Sequence, residues 1–108
     1  MTGTKMFHHV VVFRWVEGAA PDVDALAREL TAFARTVPGL ASYACGADAG
    51  VREESDHFDV SAAFETEHAL RAYLAHPTHH AITATYVRDA VDTRHTVQFQ
   101  SEKESAHE

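Results

Sequence analysis

The stretch Tyr73-Leu74-Ala75-His76-Pro77-Thr78-His79-His80 gathers a phenol and three imidazoles within eight residues. Imidazole is the side chain that takes up and returns a proton near neutral pH. A phenol can donate a hydrogen bond to an oxygen on which negative charge develops. Three chemistries fit these residue types. In the first, His79 is a general base that removes a proton beside a carbonyl, and Tyr73 donates to the enolate oxygen that forms. In the second, His76, His79 and His80 ligate a divalent ion; Pro77 spoils regular helical spacing, and no neighbouring carboxylate completes the set. In the third, Tyr73 and His79 are structural, bonding the chain at a helix break and holding a dimer.

Other polar residues offer weaker signals. His9 sits among apolar neighbours on its strand face, where a buried, hydrogen-bonded core histidine is the plain expectation. His57, Asp59 and Ser61 share one side of a later strand, lining either water or a pocket, and a solvated rim is favoured over a second catalytic centre. Cys45 is the single cysteine. It has no internal disulfide partner and no basic neighbour in sequence to activate it, so it reads as a packed thiol.

The elements that position these groups follow from periodicity. Phe7 to Val16 is rich in β-branched and aromatic residues. It reads as a strand with Phe7, His9, Val11, Phe13 and Trp15 on one face and His8, Val10, Val12, Arg14 and Val16 on the other. Both faces are largely apolar, so both need covering. A helix is predicted over Pro21 to Thr36, with Val23, Leu26, Leu30, Phe33 and Val37 on its buried stripe, closed by Pro38-Gly39. Leu40 to Ala47 reads as a strand carrying Tyr43 and Cys45 on one face. Gly46 to Asp56 reads as a polar connection, and His57 to Phe64 as an alternating strand. Thr66 caps a helix that ends near Ala75, because Pro77 cannot continue it. Thr78 is expected to cap a short second segment running to Val87 with His79 and His80 in its first turn. Thr93 to Gln100 is the last strand, with His95, Val97 and Phe99 alternating against Arg94, Thr96 and Gln98. One domain is therefore expected over 6–100, with a disordered polar tail at 101–108. The order strand, helix, strand, strand, helix, strand is that of the ferredoxin-like split βαβ fold, an α+β architecture with a four-stranded antiparallel sheet and helices on one face. A second copy of the chain is the simplest cover for the other face.

Composition narrows the partners. The 108 residues carry a formal charge of −7 with histidine neutral, and the cationic residues are scattered, which argues against nucleic acid. The nine histidines make that charge shrink as pH falls from about 7 to about 5.5. Neither a signal-like apolar region nor a membrane-length run is present, so a cytoplasmic protein with no membrane partner is expected. There is no glycine-rich phosphate loop and no regular metal-ligand spacing, so neither a cofactor nor a metal is expected.

Two motifs then carry a resemblance. His9-Val10-Val11-Val12-Phe13-Arg14-Trp15 in the first strand and Tyr73-Leu74-Ala75-His76-Pro77-Thr78-His79 after the second helix resemble the stress-responsive α/β-barrel proteins, or dimeric α+β barrels. The likeness covers roughly Met6 to Phe99, and the His-Pro-x-His pattern is its specific part. The resemblance implies a ferredoxin-like homodimer whose sheets pack face to face. It also implies kinship with stress-induced proteins and with plant polyketide cyclases of the olivetolic acid type, which close a ring by aldol condensation without a cofactor. On that likeness Tyr73 and His79 match the catalytic pair and His9 matches a first-strand histidine of the pocket. A pocket histidine of the third strand falls at Phe58, next to His57, and the aspartate that partners the catalytic histidine falls at Gln98. An amide holds an imidazole but stabilises imidazolium less than a carboxylate does. The expected function is that of a cofactor-independent cyclase or lyase acting on a small apolar carbonyl compound. His79 and Tyr73 would be catalytic, and His9, Phe58, His57 and Gln98 would line the substrate. The alternative is a non-catalytic stress-response or ligand-binding dimer.

Overall fold

Alternation in the first strand and the three-and-four spacing after it are realised as the sequence requires. The computed structural model describes residues 5–102. The elements run β1 (Lys5–Trp15), α1 (Val23–Ala34), β2 (Leu40–Ala47), β3 (Phe58–Phe64), α2 (Glu67–Ala75), α3 (Pro77–Tyr86) and β4 (Val91–Glu102). The four strands form one sheet in the order β2-β3-β1-β4, with every neighbouring pair antiparallel. This is the ferredoxin-like arrangement, with the three helices on one face. No described helix is long and apolar enough to cross a membrane.

The core lies between helices and sheet. Val11 and Phe13 of β1, and Phe58, Val60, Ala62 and Phe64 of β3, pack against Leu26, Leu30 and Phe33 of α1 and Leu70 and Tyr73 of α2. In β1 the odd-numbered side chains His9, Val11 and Phe13 are the buried ones. The even-numbered set lies on the opposite face with Val97 and Phe99 of β4, through the pairings Val10 with Val97 and His8 with Phe99.

Local chemistry sets the ends. α1 starts at Val23 rather than Pro21 because the Asp22 carboxylate accepts the backbone N–H of Ala25 at 3.0 Å and so occupies the cap position. It closes early, in turns in which the N–H groups of Thr36 and Val37 bond to the carbonyls of Phe33 and Ala34. Gly39 then adopts a φ of +90°, and a Cβ there would come within 2.8 Å of the Ala69 Cβ. Glycine at this turn is thus what lets α2 settle against the start of β2.

Thr66 caps α2 as expected, accepting from the Ala69 N–H at 3.0 Å. The cap of α3 differs from expectation. It is His76, not Thr78: His76 is extended, and its Nδ1 accepts the Thr78 N–H at 3.0 Å. Pro77 becomes the first helical residue, where its missing N–H has no partner to lose. β4 also exceeds its expected bounds, starting at Val91 and continuing through Ser101 and Glu102, which pair with Met6 and Lys5. The expected disordered tail therefore cannot include Ser101 and Glu102, and its remainder lies outside the described residues.

Candidate functional site

A cavity of about 260 Å³ opens between the sheet and the junction of α2 with α3. β1 supplies His9, Val11 and Phe13 to it, α2 supplies Tyr73 and Leu74, α3 supplies His79 and Thr83, and β4 supplies Arg94, Thr96 and Gln98. That volume lies just below the range of about 300–1,000 Å³ usual for drug-sized ligands, so the space suits a small molecule. Four of the residues singled out in the sequence meet here: His9, Tyr73, His79 and Gln98.

Tyr73 is the hub. It is 1% exposed, and its ring contacts Phe33, Phe64, Tyr43, His9 and His79. His79 meets it edge-on, with ring centroids 4.8 Å apart. The Tyr73 hydroxyl lies 2.6 Å from that of Tyr43. Burial raises the pKa of both phenols, Tyr73 to about 12 and Tyr43 further. Either hydroxyl can be the donor in that bond. When Tyr43 is the donor, the Tyr73 proton can point at a ligand oxygen. Tyr43 was not among the candidates from sequence. Its place opposite Ala62 on the helix-side face of the sheet was legible in the alternation of β2, but its pairing with Tyr73 was not.

His79 occupies the first turn of α3, which the Pro77 break points toward the sheet. Burial pushes its pKa down to about 4, and the neighbouring positive charges of His80, His9 and Arg94 act in the same direction. The ring is therefore neutral at physiological pH, as a base must be. Its Nδ1 is buried and has no hydrogen-bond partner among the described residues, so the ring is held by packing on Tyr73 and by a perpendicular contact with His80.

Gln98 does not reach His79. In the β1–β4 register it lies opposite His9, and its Nε2 sits 2.9 Å from His9 Nδ1 and 2.7 Å from Thr96 Oγ1. The resemblance sets Gln98 where a partner of His79 would stand; strand register instead sets it against His9, on the cavity wall. Burial also lowers the His9 pKa. With the amide donating to Nδ1, neutral His9 carries its proton on Nε2 and serves as a donor.

Two further candidates lie elsewhere. Phe58 is fully packed in the core beside Phe13 and Trp15 and does not line this cavity. His57 precedes β3, and its Nδ1 accepts the Trp15 N–H at 2.9 Å, where the β1–β4 register shifts between Arg14 and Trp15. It braces the end of β1. Asp59 and Ser61 bond to each other at 2.8 Å and pair with Val12 and Val10 on β1, away from the cavity. Cys45 bonds to Thr31 Oγ1 and the Ala27 carbonyl, and burial raises its pKa, as suits a packed thiol. Among the described residues, no three His, Cys, Asp or Glu side chains are grouped so that they could hold a metal ion.

The family model described as Stress Responsive A/B Barrel Domain matches residues 7–101. A dimeric ferredoxin-like protein of unknown function from Thermobifida fusca is 32% identical, with a TM-score of 0.78 over 92% of this chain and 93% of that one. A Dabb family protein with a ferredoxin-like fold from Mesorhizobium loti is 19% identical, with a TM-score of 0.59 over 88% of this chain and 95% of that one. The hydroxynitrile lyase of Passiflora edulis is 11% identical, with a TM-score of 0.74 over 94% of this chain and 98% of that one. At those last two identities the likeness is one of fold. No curated protein matches the chain.

Proposed function

The chain belongs to the Stress Responsive A/B Barrel Domain family, and on that premise we propose that it is a cofactor-independent enzyme of the cyclase or lyase type. Its substrate would be a small, largely apolar carbonyl compound, and its working form a homodimer like the relatives described as dimeric. One observation carries this reading: a desolvated imidazole, its pKa lowered to about 4, meets a phenol edge-on inside one cavity. A proton beside a carbonyl is only weakly acidic, so its removal needs a base and an oxyanion donor together. His79 takes the proton. The electron pair left on carbon delocalises onto the carbonyl oxygen, which accepts hydrogen bonds from Tyr73 and from His9 Nε2. In the condensing direction the enolate carbon bonds to a second carbonyl carbon, and the new alkoxide takes its proton back from His79. Run in reverse, the same transfers break a carbon–carbon bond.

Fold likeness to the Passiflora edulis hydroxynitrile lyase supports the view that this architecture can host a lyase. The rival reading, a non-catalytic ligand-binding barrel, is favoured by one observation: among the described residues no carboxylate lines the cavity to stabilise imidazolium. Proton exchange separates the two without a known substrate. The protein is incubated in D₂O with a simple ketone, and deuterium entry beside the carbonyl is followed by NMR. Enhanced exchange that falls about 10²–10⁴-fold in His79→Ala is expected of the enzyme. Exchange no faster than in buffer, with the ketone bound, would establish the binding protein instead.

A further inference from the structure

Among the described residues, Arg94 is the one cationic residue other than histidine on the cavity wall. In a chain of net charge −7, three other arginines already face carboxylates: Arg14 with Asp56, Arg52 with Glu54 and Arg71 with Glu67. Arg94 makes no ion pair among the described residues. It lies opposite Phe13 in the β1–β4 register, while Gln98 lies opposite His9. Both point to the helix side, about 13 Å apart along the strand at roughly 3.3 Å per residue. The cavity thus has an amide-and-imidazole end and a guanidinium end. His79 lines the same cavity from the helix side. Beyond Arg94 an adjoining cleft of about 410 Å³ is shared by Arg88, Arg94 and Asp92 with Thr83 and Val87. Two guanidiniums against one carboxylate leave that mouth cationic.

We propose that the cavity selects an oxo-carboxylic acid, with the carboxylate held by Arg94 and the ketone presented to both His79 and Tyr73. This rests on the enzymatic reading above for the role of the ketone, and adds the anionic end of the substrate. A guanidinium offers a planar fork of donors that matches a carboxylate. Arg94 is a binding and specificity residue, and it has a second effect on the chemistry. Without ligand, its charge disfavours imidazolium at His79. A bound carboxylate cancels that charge, so the base strengthens when the acid, and not a neutral analogue, is present.

The test uses the full-length protein with 5-oxohexanoate, its methyl ester and inorganic phosphate as probes, titrated by NMR at neutral pH. The acid should bind at least about tenfold more tightly than the ester. Arg94→Gln should bring the acid down to the affinity of the ester while leaving the ester unchanged, and Arg94→Lys should keep part of the preference. The ring pKa of His79 should rise on binding the acid, stay put with the ester, and stay put with either in Arg94→Gln. Equal binding of acid and ester, a preference that survives Arg94→Gln, binding of neither, or phosphate binding as tightly as the acid would each overturn the proposal. The two readings fail separately. His79→Ala must retain the acid preference if Arg94 sets it. Acid preference with no ketone exchange in the wild-type protein would sink the enzyme and leave the carboxylate site standing.

Discussion

The surroundings of Tyr73 and His79 push them in opposite directions along the pH scale. Burial moves the phenol up to about 12 and the imidazole down to about 4, so each is neutral over the whole range between, one a donor and the other an acceptor. Tyr43 holds the Tyr73 hydroxyl in place through the 2.6 Å bond between them. Tyr43→Phe removes that bond but leaves the Tyr73 hydroxyl facing the cavity. That hydroxyl then loses its fixed orientation, and kcat should fall about tenfold with KM little changed, against a larger fall for Tyr73→Phe. Steady-state kinetics on the two variants would check the order; equal losses would remove Tyr43 from the mechanism. The histidines also fix a pH dependence. Both His9 and His79 have folded pKa values below the unfolded value of about 6.5, so the unfolded chain binds more protons between about pH 4 and 6.5. The stability they confer is complete above about 6.5 and is lost as pH falls through the folded values. Melting temperature should therefore decline from pH 7 to pH 4.5, and less steeply in His79→Gln. The rate, limited by neutral His79, should hold on the acid side until pH nears 4.

The α2–α3 junction is the element that turns these residues into a site. Pro77 forces His76 out of helical conformation, and His76 answers by capping the helix that Pro77 begins. His79 sits in that same first turn, so the cap positions the proposed base without touching the cavity. His76→Ala should cost about 1 kcal/mol, within the range for lost caps. It should lower kcat more than it changes KM, while His76→Ser should restore both; thermal melts and kinetics on the pair decide this. The break itself was legible, because a proline inside an apolar helical pattern has few other meanings. The cap was not, because histidine is outside the usual set of Ser, Thr, Asp and Asn, and Thr78 stood nearby as a conventional choice. α1 and β1 were legible for a plain reason: their buried residues recur at the period of the element. The end of β4 was hidden because an edge strand paired only to β1 keeps polar residues such as Gln98, Gln100 and Ser101 along its length. Long-range partners left no mark in the sequence. Gln98 finds His9, and Tyr43 finds Tyr73, across separations that only register and helix packing decide.

At the scale of the whole molecule one sheet face is left open. Helices cover His9, Val11 and Phe13, but Val97 and Phe99 remain 53% and 48% exposed on the far side, beside Val10 and Val12. Phe99 stacks on His8 at 4.4 Å with the rings nearly parallel, and His8 Nε2 is 2.6 Å from Ser101 Oγ, so the patch is ordered in the single chain. A contiguous apolar face of this kind, in a chain similar to proteins described as dimeric, calls for a second copy packed face to face. Light scattering at micromolar concentration should give about twice the chain mass of 11.9 kDa. Val97 lies opposite Val10 at the middle of the patch, so Val97→Glu would place one carboxylate from each copy within a desolvated contact. Neither could be neutralised by the other, and the dimer should dissociate with circular dichroism unchanged. Val51 is more exposed, at 86%, but it lies in the connection between β2 and β3. Val51→Glu adds the same charge off the patch and should leave the mass doubled. A wild-type monomer, or dissociation by both variants alike, would show that the open face is not where two copies meet.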